Sequence, residues 1–276
     1  MKRLLLLLAC LTISSAIYAQ YYVIHVRGKI QLKKASVSIK VGDRLQSTDE
    51  LTFSQPNAFA VVMSKEQGRM VLKAQPDEDN FEGEFIALVK NAIIPMKKNL
   101  QMSSRAVNIT KVSDFNKYFG NDRFAILGDE FRIDVDPDAY EVSQERMFVY
   151  RYEHEGRAIN KPLKIQNATL VFNKKKLYKS KGKTIDPNEI EKVDLYYFDQ
   201  KASVSNKLAT FKPVFVEENI LIKELKSLSN FLTEHNVMQG QELKDELFSF
   251  ISDIYGKTDP YFFNLWVEKN EVITQN

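Results

Sequence analysis

Cysteine is nearly absent from the 276-residue chain: its one copy, Cys10, lies within the first twenty residues. Removing that stretch on maturation would remove thiol nucleophiles, disulfides and cysteine-ligated zinc as well. Histidine is scarce, with His25, His154 and His235 far apart and none in an HExxH-type pair. The supply for hydrolytic zinc sites or catalytic triads is therefore thin. Glycine and proline, 10 and 8 copies, are too few for a collagen-like or low-complexity chain. After residue 20 no segment reaches the roughly 18 consecutive apolar residues of a bilayer-spanning helix, so the sequence offers no transmembrane segment there. An excess of one charge is also missing: 39 Lys and Arg face 36 Asp and Glu, a formal net charge of +3. That leaves no global basic field to attract nucleic acid.

What is present suits a folded chain, with 44% hydrophobic and 27% charged residues. Eighteen Phe and twelve Tyr argue for well-filled, sheet-rich cores. The first nineteen residues follow the order of a secretory signal peptide. Lys2 and Arg3 are positive, 4–11 are apolar around Ala9 and Cys10, and Ser14, Ser15 and Ala19 are small. The apolar run is much shorter than the roughly 20 residues of a retained anchor. A lipobox at Leu7-Leu8-Ala9-Cys10 would leave a leader too short for its usual regions. Cleavage after Ala19 is the reading taken. It predicts a cysteine-free chain starting at Gln20, exported to the periplasm or cell surface, with the charge lowered from +3 to +1 by loss of Lys2 and Arg3.

From residue 21 to 72 the pattern is short strands between turn residues. Tyr22, Ile24 and Val26 alternate with Val23 and His25, which reads as a residue at the sheet surface, and Gly28 ends the run. Gly42-Asp43 and Gln55-Pro56-Asn57 mark turns, and Lys65-Glu66-Gln67-Gly68 reads as a hairpin loop. The series Val26-Arg27-Gly28-Lys29-Ile30, Ile39-Lys40-Val41-Gly42-Asp43-Arg44-Leu45, Asp49-Glu50-Leu51, Ala58 to Met63 and Gly68-Arg69-Met70-Val71-Leu72 resembles a FecR-type β-domain. Gln55-Pro56-Asn57 stands where that family has a serine-rich step. The resemblance covers about residues 22–72. It implies an envelope domain that contacts proteins or surfaces and performs no chemistry.

A polar, acidic, proline-containing stretch at 75–81 predicts a boundary between Leu72 and Phe81. Residues 85–94 read as a short helix stopped by Pro95, and 97–105 as a basic connector. Strand character then returns at 124–127, 130–135, 146–152, 163–165, 169–172, 193–198 and 210–216, with hairpin loops at Glu155-Gly156-Arg157 and Lys181-Gly182-Lys183. Leu221, Leu225, Leu228, Phe231 and Leu232 form one helical stripe, and Leu243, Leu247, Phe250, Ile251 and Ile254 a second. The expected class is α+β: a small N-terminal β-sandwich or barrel, then a β-rich body with a C-terminal helix pair. The expected division is a signal peptide at 1–19, a FecR-like β-domain at 20–75 and a connector with a short helix at 76–120. An α+β domain follows at 121–276, with strands over about 124–216 and helices over about 219–236 and 240–256. The aromatic tail 261–267, including Trp266, is expected to pack back on the helices.

The motifs were weighed for chemistry. Asp134, Asp136, Asp138 and Glu145 have EF-hand ligand spacing, yet Ala139 replaces the turn glycine and the flanks read as strands. Edge-strand carboxylates are the preferred reading. Gly182-Lys183-Thr184 and Gly256-Lys257-Thr258 end like a P-loop but lack its earlier glycine, with Leu177 and Ile251 in that place. Asn108-Ile-Thr110 and Asn167-Ala-Thr169 are glycosylation sequons by spacing alone. The run 173–183 carries Lys174, Lys175, Lys176, Lys179, Lys181 and Lys183 and no acid. The preferred reading is a solvated hairpin tip; the alternative is a weak contact for anionic surface polymer, lipid headgroups or an acidic partner. No catalytic, cofactor or metal residue is assigned. The preferred function is a non-enzymatic, exported envelope protein that binds other envelope proteins in assembly or anchoring. The alternative is a cell-wall glycan or peptide hydrolase whose carboxylates meet only in the fold.

Overall fold

The structure is a computed structural model describing residues 20–74, 85–89, 93–95, 113–141, 143 and 145–273. Residues 1–19, expected to be a signal peptide, the polar stretch at 75–81, the connector at 97–105 and the Asn108 sequon lie outside the described residues. The chain forms two compact units, Met1–Lys97 and Lys98–Asn276, and is α+β, with a β-rich body and a C-terminal helix group.

In the first unit the strands are β1 (Gln20–Arg27), β2 (Ile30–Leu32), β3 (Val37–Ser38), β4 (Arg44–Gln46), β5 (Glu50–Phe53), β6 (Phe59–Ser64), β7 (Gly68–Lys73), β8 (Phe85–Leu88) and β9 (Ile93–Pro95). They make two antiparallel sheets, β4-β1-β6-β7-β9 and β3-β2-β5-β8. Val23, Leu45, Val62, Met70 and Leu72 of the first sheet share a core with Ile30, Leu51 and Phe53 of the second. Burial of alternate residues from facing sheets is what stabilises such a sandwich. Gly28 takes the chain from one sheet to the other at φ +77°, where a Cβ would stand 2.9 Å from Ala58 Cβ. Two aspartates fix the next turns: Asp43 Oδ2 accepts from Lys40 N and Asp49 Oδ2 from Gln46 N, each at 2.7 Å.

Three expectations are corrected here. Within the 85–94 stretch expected to be a short helix, Phe85–Leu88 and Ile93–Pro95 are strands β8 and β9, because β5 and β7 offer open sheet edges that they complete. Tertiary pairing of this kind overrides local helical periodicity. The unit accordingly runs to Lys97, beyond the boundary expected between Leu72 and Phe81 and beyond the 20–75 domain. His25 is buried, not at the sheet surface. A register shift between Val23 and His25 inserts an extra residue in β1, and this β-bulge breaks the simple alternation.

In the second unit one five-stranded sheet has the order β10-β19-β18-β12-β13, from β10 (Arg123–Leu127), β12 (Arg146–His154), β13 (Arg157–Pro162), β18 (Val193–Asp199) and β19 (Val204–Val216). A three-stranded sheet, β11-β15-β14, uses β11 (Glu130–Asp134), β14 (Lys164–Gln166) and β15 (Thr169–Asn173). β16 (Lys179–Ser180) and β17 (Lys183–Thr184) form a small hairpin. Rings from both larger sheets and from helix α1 (Phe115–Phe119) fill one core, with Phe119 stacked on Phe211 at 4.0 Å between centroids. β19 begins at Val204, six residues before the strand expected from residue 210. Its polar first half is held by pairing with β18, not by burial.

The C-terminal helices are α3 (Glu218–Glu234), α4 (Gly240–Ile254) and α5 (Pro260–Lys269). Both expected apolar stripes are buried. The group has three members where a pair was expected: the aromatic tail is itself helical. Asp259 caps it by accepting from Phe262 N at 2.6 Å, and Pro260 supplies the preset first-turn φ. Trp266 is buried, in line with the expected packing of that tail.

Candidate functional site

The lysine run folds around a fixed centre. Asn173 caps the short helix α2 (Lys174–Leu177), accepting from Lys176 N at 3.1 Å, and Tyr178 follows before the β16–β17 hairpin. Leu177 and Tyr178 are buried, whereas Lys175, Lys176, Lys179, Lys181 and Lys183 are exposed. β12 holds the centre from below. Tyr152 Oη donates to Leu177 O at 2.8 Å, and the Tyr150 and Tyr178 hydroxyls share a hydrogen bond of 2.6 Å. The hairpin is closed by Ile185 N donating to Tyr178 O at 2.7 Å. Burial pushes the Tyr150 and Tyr178 hydroxyls well above their ordinary range, so both stay protonated and remain donors.

The lysines differ in their partners. Lys174 and Lys175 each lie 3.8 Å from Asp129, and Lys174 also stands 5.9 Å over the Phe215 ring. Lys176 adds its field to Glu130, whose carboxyl is held below its usual range first by hydrogen bonds from Asn173 and Arg132. Lys161 of β13 donates to Lys179 O at 2.5 Å, bringing a fourth lysine to the hairpin beside Lys179, Lys181 and Lys183. Among the described residues Lys179, Lys181 and Lys183 make no ion pair. Reading only 173–183 missed Arg157, Lys161 and Lys164: residues 157–183 hold nine basic side chains and no acid. An acid-free window counted from Arg157 would have found them.

Elsewhere the buried polar groups serve the fold. Tyr118 Oη donates to Asp259 Oδ2, and Tyr255 Oη to Glu224 Oε2, each at 2.6 Å. Burial first, and then the neighbouring carboxylate, raises both phenols far above their ordinary range. Lys257 donates to Lys117 O at 2.7 Å, and burial lowers its ammonium. Gly256-Lys257-Thr258 is the border of the large sheet, not a phosphate cradle. Lys257 N donates to Arg123 O at 3.0 Å, Ala125 N to Lys257 O at 2.7 Å and Thr258 Oγ1 to Ala125 O at 3.0 Å. Gly256 adopts φ +113°, and a Cβ there would meet Arg123 O at 2.4 Å. Gly182-Lys183-Thr184 belongs to the lysine hairpin.

Asp134, Asp136, Asp138 and Glu145 lie at the end of β11 and in the following loop. Asp134 Oδ1 accepts from Thr169 Oγ1 at 2.5 Å, and Asp136 Oδ1 from Asp138 N at 3.0 Å in a local turn. Among the described residues no three His, Cys, Asp or Glu side chains are grouped to hold a metal. His154 stands 3.8 Å from Glu189 and 4.0 Å from Glu155. His235 lies at the end of α3 against Phe231, and His25 is in β1 beside Phe59. The fold thus leaves the three histidines on separate elements. Compared with models of known families and with curated proteins, the chain matches none.

Proposed function

We propose that the protein is an exported cell-envelope protein that acts by binding, as an interaction, assembly or anchoring module, and not by catalysis. The observation that carries this reading is the order of residues 2–19, positive, then apolar, then small, ahead of a chain whose remaining cysteine count is zero. The FecR-like series supports it. Its glycine and aspartates build turns between strands and are not gathered into a site. The engagement of Tyr118, Asp259, Tyr255 and Glu224 in contacts between elements also supports a scaffold.

Fractionation of expressing cells, with protease treatment of intact cells and N-terminal sequencing of the recovered protein, tests the reading. The expected result is recovery from the envelope or exterior with Gln20 first. Recovery from the cytoplasm with residues 1–19 intact would refute export. A single partner cross-linked in intact envelopes would identify the module it serves.

A further inference from the structure

We propose that the hairpin β16–β17, with Lys179, Lys181 and Lys183 as its contact groups, is a docking site for a linear polyanion of the phosphodiester or polyphosphate kind. The proposal deepens the binding reading above by naming a ligand class, and it does not require export.

Charge segregation is the first argument. Residues 157–183 carry nine basic groups and no acid, in a chain of net charge +3. Opposite charge elsewhere in the molecule therefore offsets this concentrated positive stretch, and such a region attracts polyanions even when the net charge is small. Within it, Asp129 engages Lys174 and Lys175, so the field is least compensated at the hairpin. Lys161 adds to it from β13.

Mounting is the second argument. Leu177 and Tyr178 are buried and tied to Tyr150 and Tyr152, and Ile185 is buried on the far side of the hairpin. The backbone that bears the lysines is thus ordered before any ligand arrives, which reduces the entropy lost on binding.

Geometry selects the ligand. Lys179 pairs with Thr184 and Lys183 with Ser180, so the two lysines point to opposite faces of the hairpin. Lys181 occupies the tip at φ +48°. A flat bilayer meets one face of such a hairpin, but a flexible polymer can reach both faces and the tip. The exposed large apolar side chains, Val37, Val204, Ile220, Val237, Tyr261 and Leu265, all lie outside residues 157–183. Nothing at the hairpin is therefore offered to the acyl region of a membrane. Eight of the nine basic groups are lysines, point charges without the fork geometry that reads bases or planar carboxylates. The contact is therefore with repeating charge and carries no sequence selectivity.

The test uses the full chain and three probes: long-chain inorganic polyphosphate, vesicles of phosphatidylglycerol with phosphatidylcholine, and neutral dextran. Affinity is measured by fluorescence anisotropy across a salt series. Polyphosphate is expected to bind with log affinity falling linearly against log salt, and dextran not to bind. K179Q/K181Q/K183Q should weaken polyphosphate binding about tenfold or more at low salt and flatten the slope by about 2. K174Q/K175Q, which removes the Asp129-engaged pair, should change it less than threefold. Thermal melts of both variants should match the parent, since most of the altered side chains are exposed. A loss in the double variant at least about two-thirds of the triple variant's on the log scale, in proportion to the charges removed, would overturn the proposal, because net charge alone would then account for binding. Absence of polyphosphate binding at low salt, or triple-variant-sensitive binding to vesicles only, would also overturn it. Cytoplasmic recovery in the fractionation experiment would sink export and leave this result standing.

Discussion

The first unit fills its interior with aliphatic side chains and the second with rings. Of the fourteen buried residues in the first core, only Tyr21 and Phe53 are aromatic; in the second, eleven of twenty-two are Phe or Tyr. The first core lies between two facing sheets of strands two to eight residues long, and Val, Leu and Ile make up most of it. The larger unit joins sheets of five and three strands to a short helix whose Phe115 and Phe119 pack ring against ring with the sheets. Rings with hydroxyls add a further effect. Tyr150, Tyr152 and Tyr118 each bury a large area and also fix the backbone or side chain of another element. The first unit sets its turns locally, through Asp43 and Asp49; the second sets its long-range geometry through phenols.

Core truncation gives the largest test of that contrast. Phe211→Ala removes the ring stacked on Phe119 and should cost about 3–5 kcal/mol in urea unfolding, whereas Leu51→Ala in the first unit should cost about 2–3. Equal costs would break the comparison. Trp266→Ala is expected to lower stability by about 3 kcal/mol, with Trp266→Phe losing far less, because the indole N–H has no acceptor among the described residues. Polyphosphate affinity of the folded Trp266→Ala variant should equal the parent's. An unchanged melting temperature would show that α5 is not packed as described.

Gly256→Ala follows at about 2–3 kcal/mol, from the positive φ and the contact with Arg123 O, read in the same urea series. Gly68 has a positive φ but open space around its Cβ position, so Gly68→Ala should cost less, about 1 kcal/mol. The smallest effect is Tyr150→Phe, about 1 kcal/mol at neutral pH for one buried hydrogen bond. Its signature is in alkali. The folded-state pKa values of Tyr118, Tyr150 and Tyr178 are raised, so their contribution is complete below the unfolded phenol value, about pH 10, and declines as pH rises above it. Urea midpoints should fall above that pH, with the tyrosinate absorbance of these three buried phenols appearing only on unfolding, and Tyr150→Phe should make the fall shallower. Free titration of these phenols in the folded protein would remove the hydroxyl network from the account.

Periodicity within one element was legible from residues alone. The stripes of α3 and α4, the alternation in β12 and β18 and the positive φ at Gly156 and Gly182 required no distant partner to be anticipated. Strands stabilised by pairing were not legible. β13 is polar and largely exposed, and the first half of β19 is exposed. Neither shows apolar alternation, and both exist because a neighbouring strand satisfies their backbone. β8 and β9 carry helical periodicity but complete open edges. The lysine surface was half legible: its central run stands out in composition, whereas Lys161 joins it through the fold.

The sequence by itself determined the class of the protein, its leader-like first stretch, its cysteine-free remainder and the faces of its long helices. Composition and spacing carry those properties, because each depends on residues close together in the chain. Tertiary structure alone decided that β13 brings Lys161 to the hairpin, that Gly256-Lys257-Thr258 borders a sheet, and that Tyr150 and Tyr152 steady the lysines. These outcomes depend on which backbone groups and hydroxyls find partners far along the chain, and no local pattern encodes that choice.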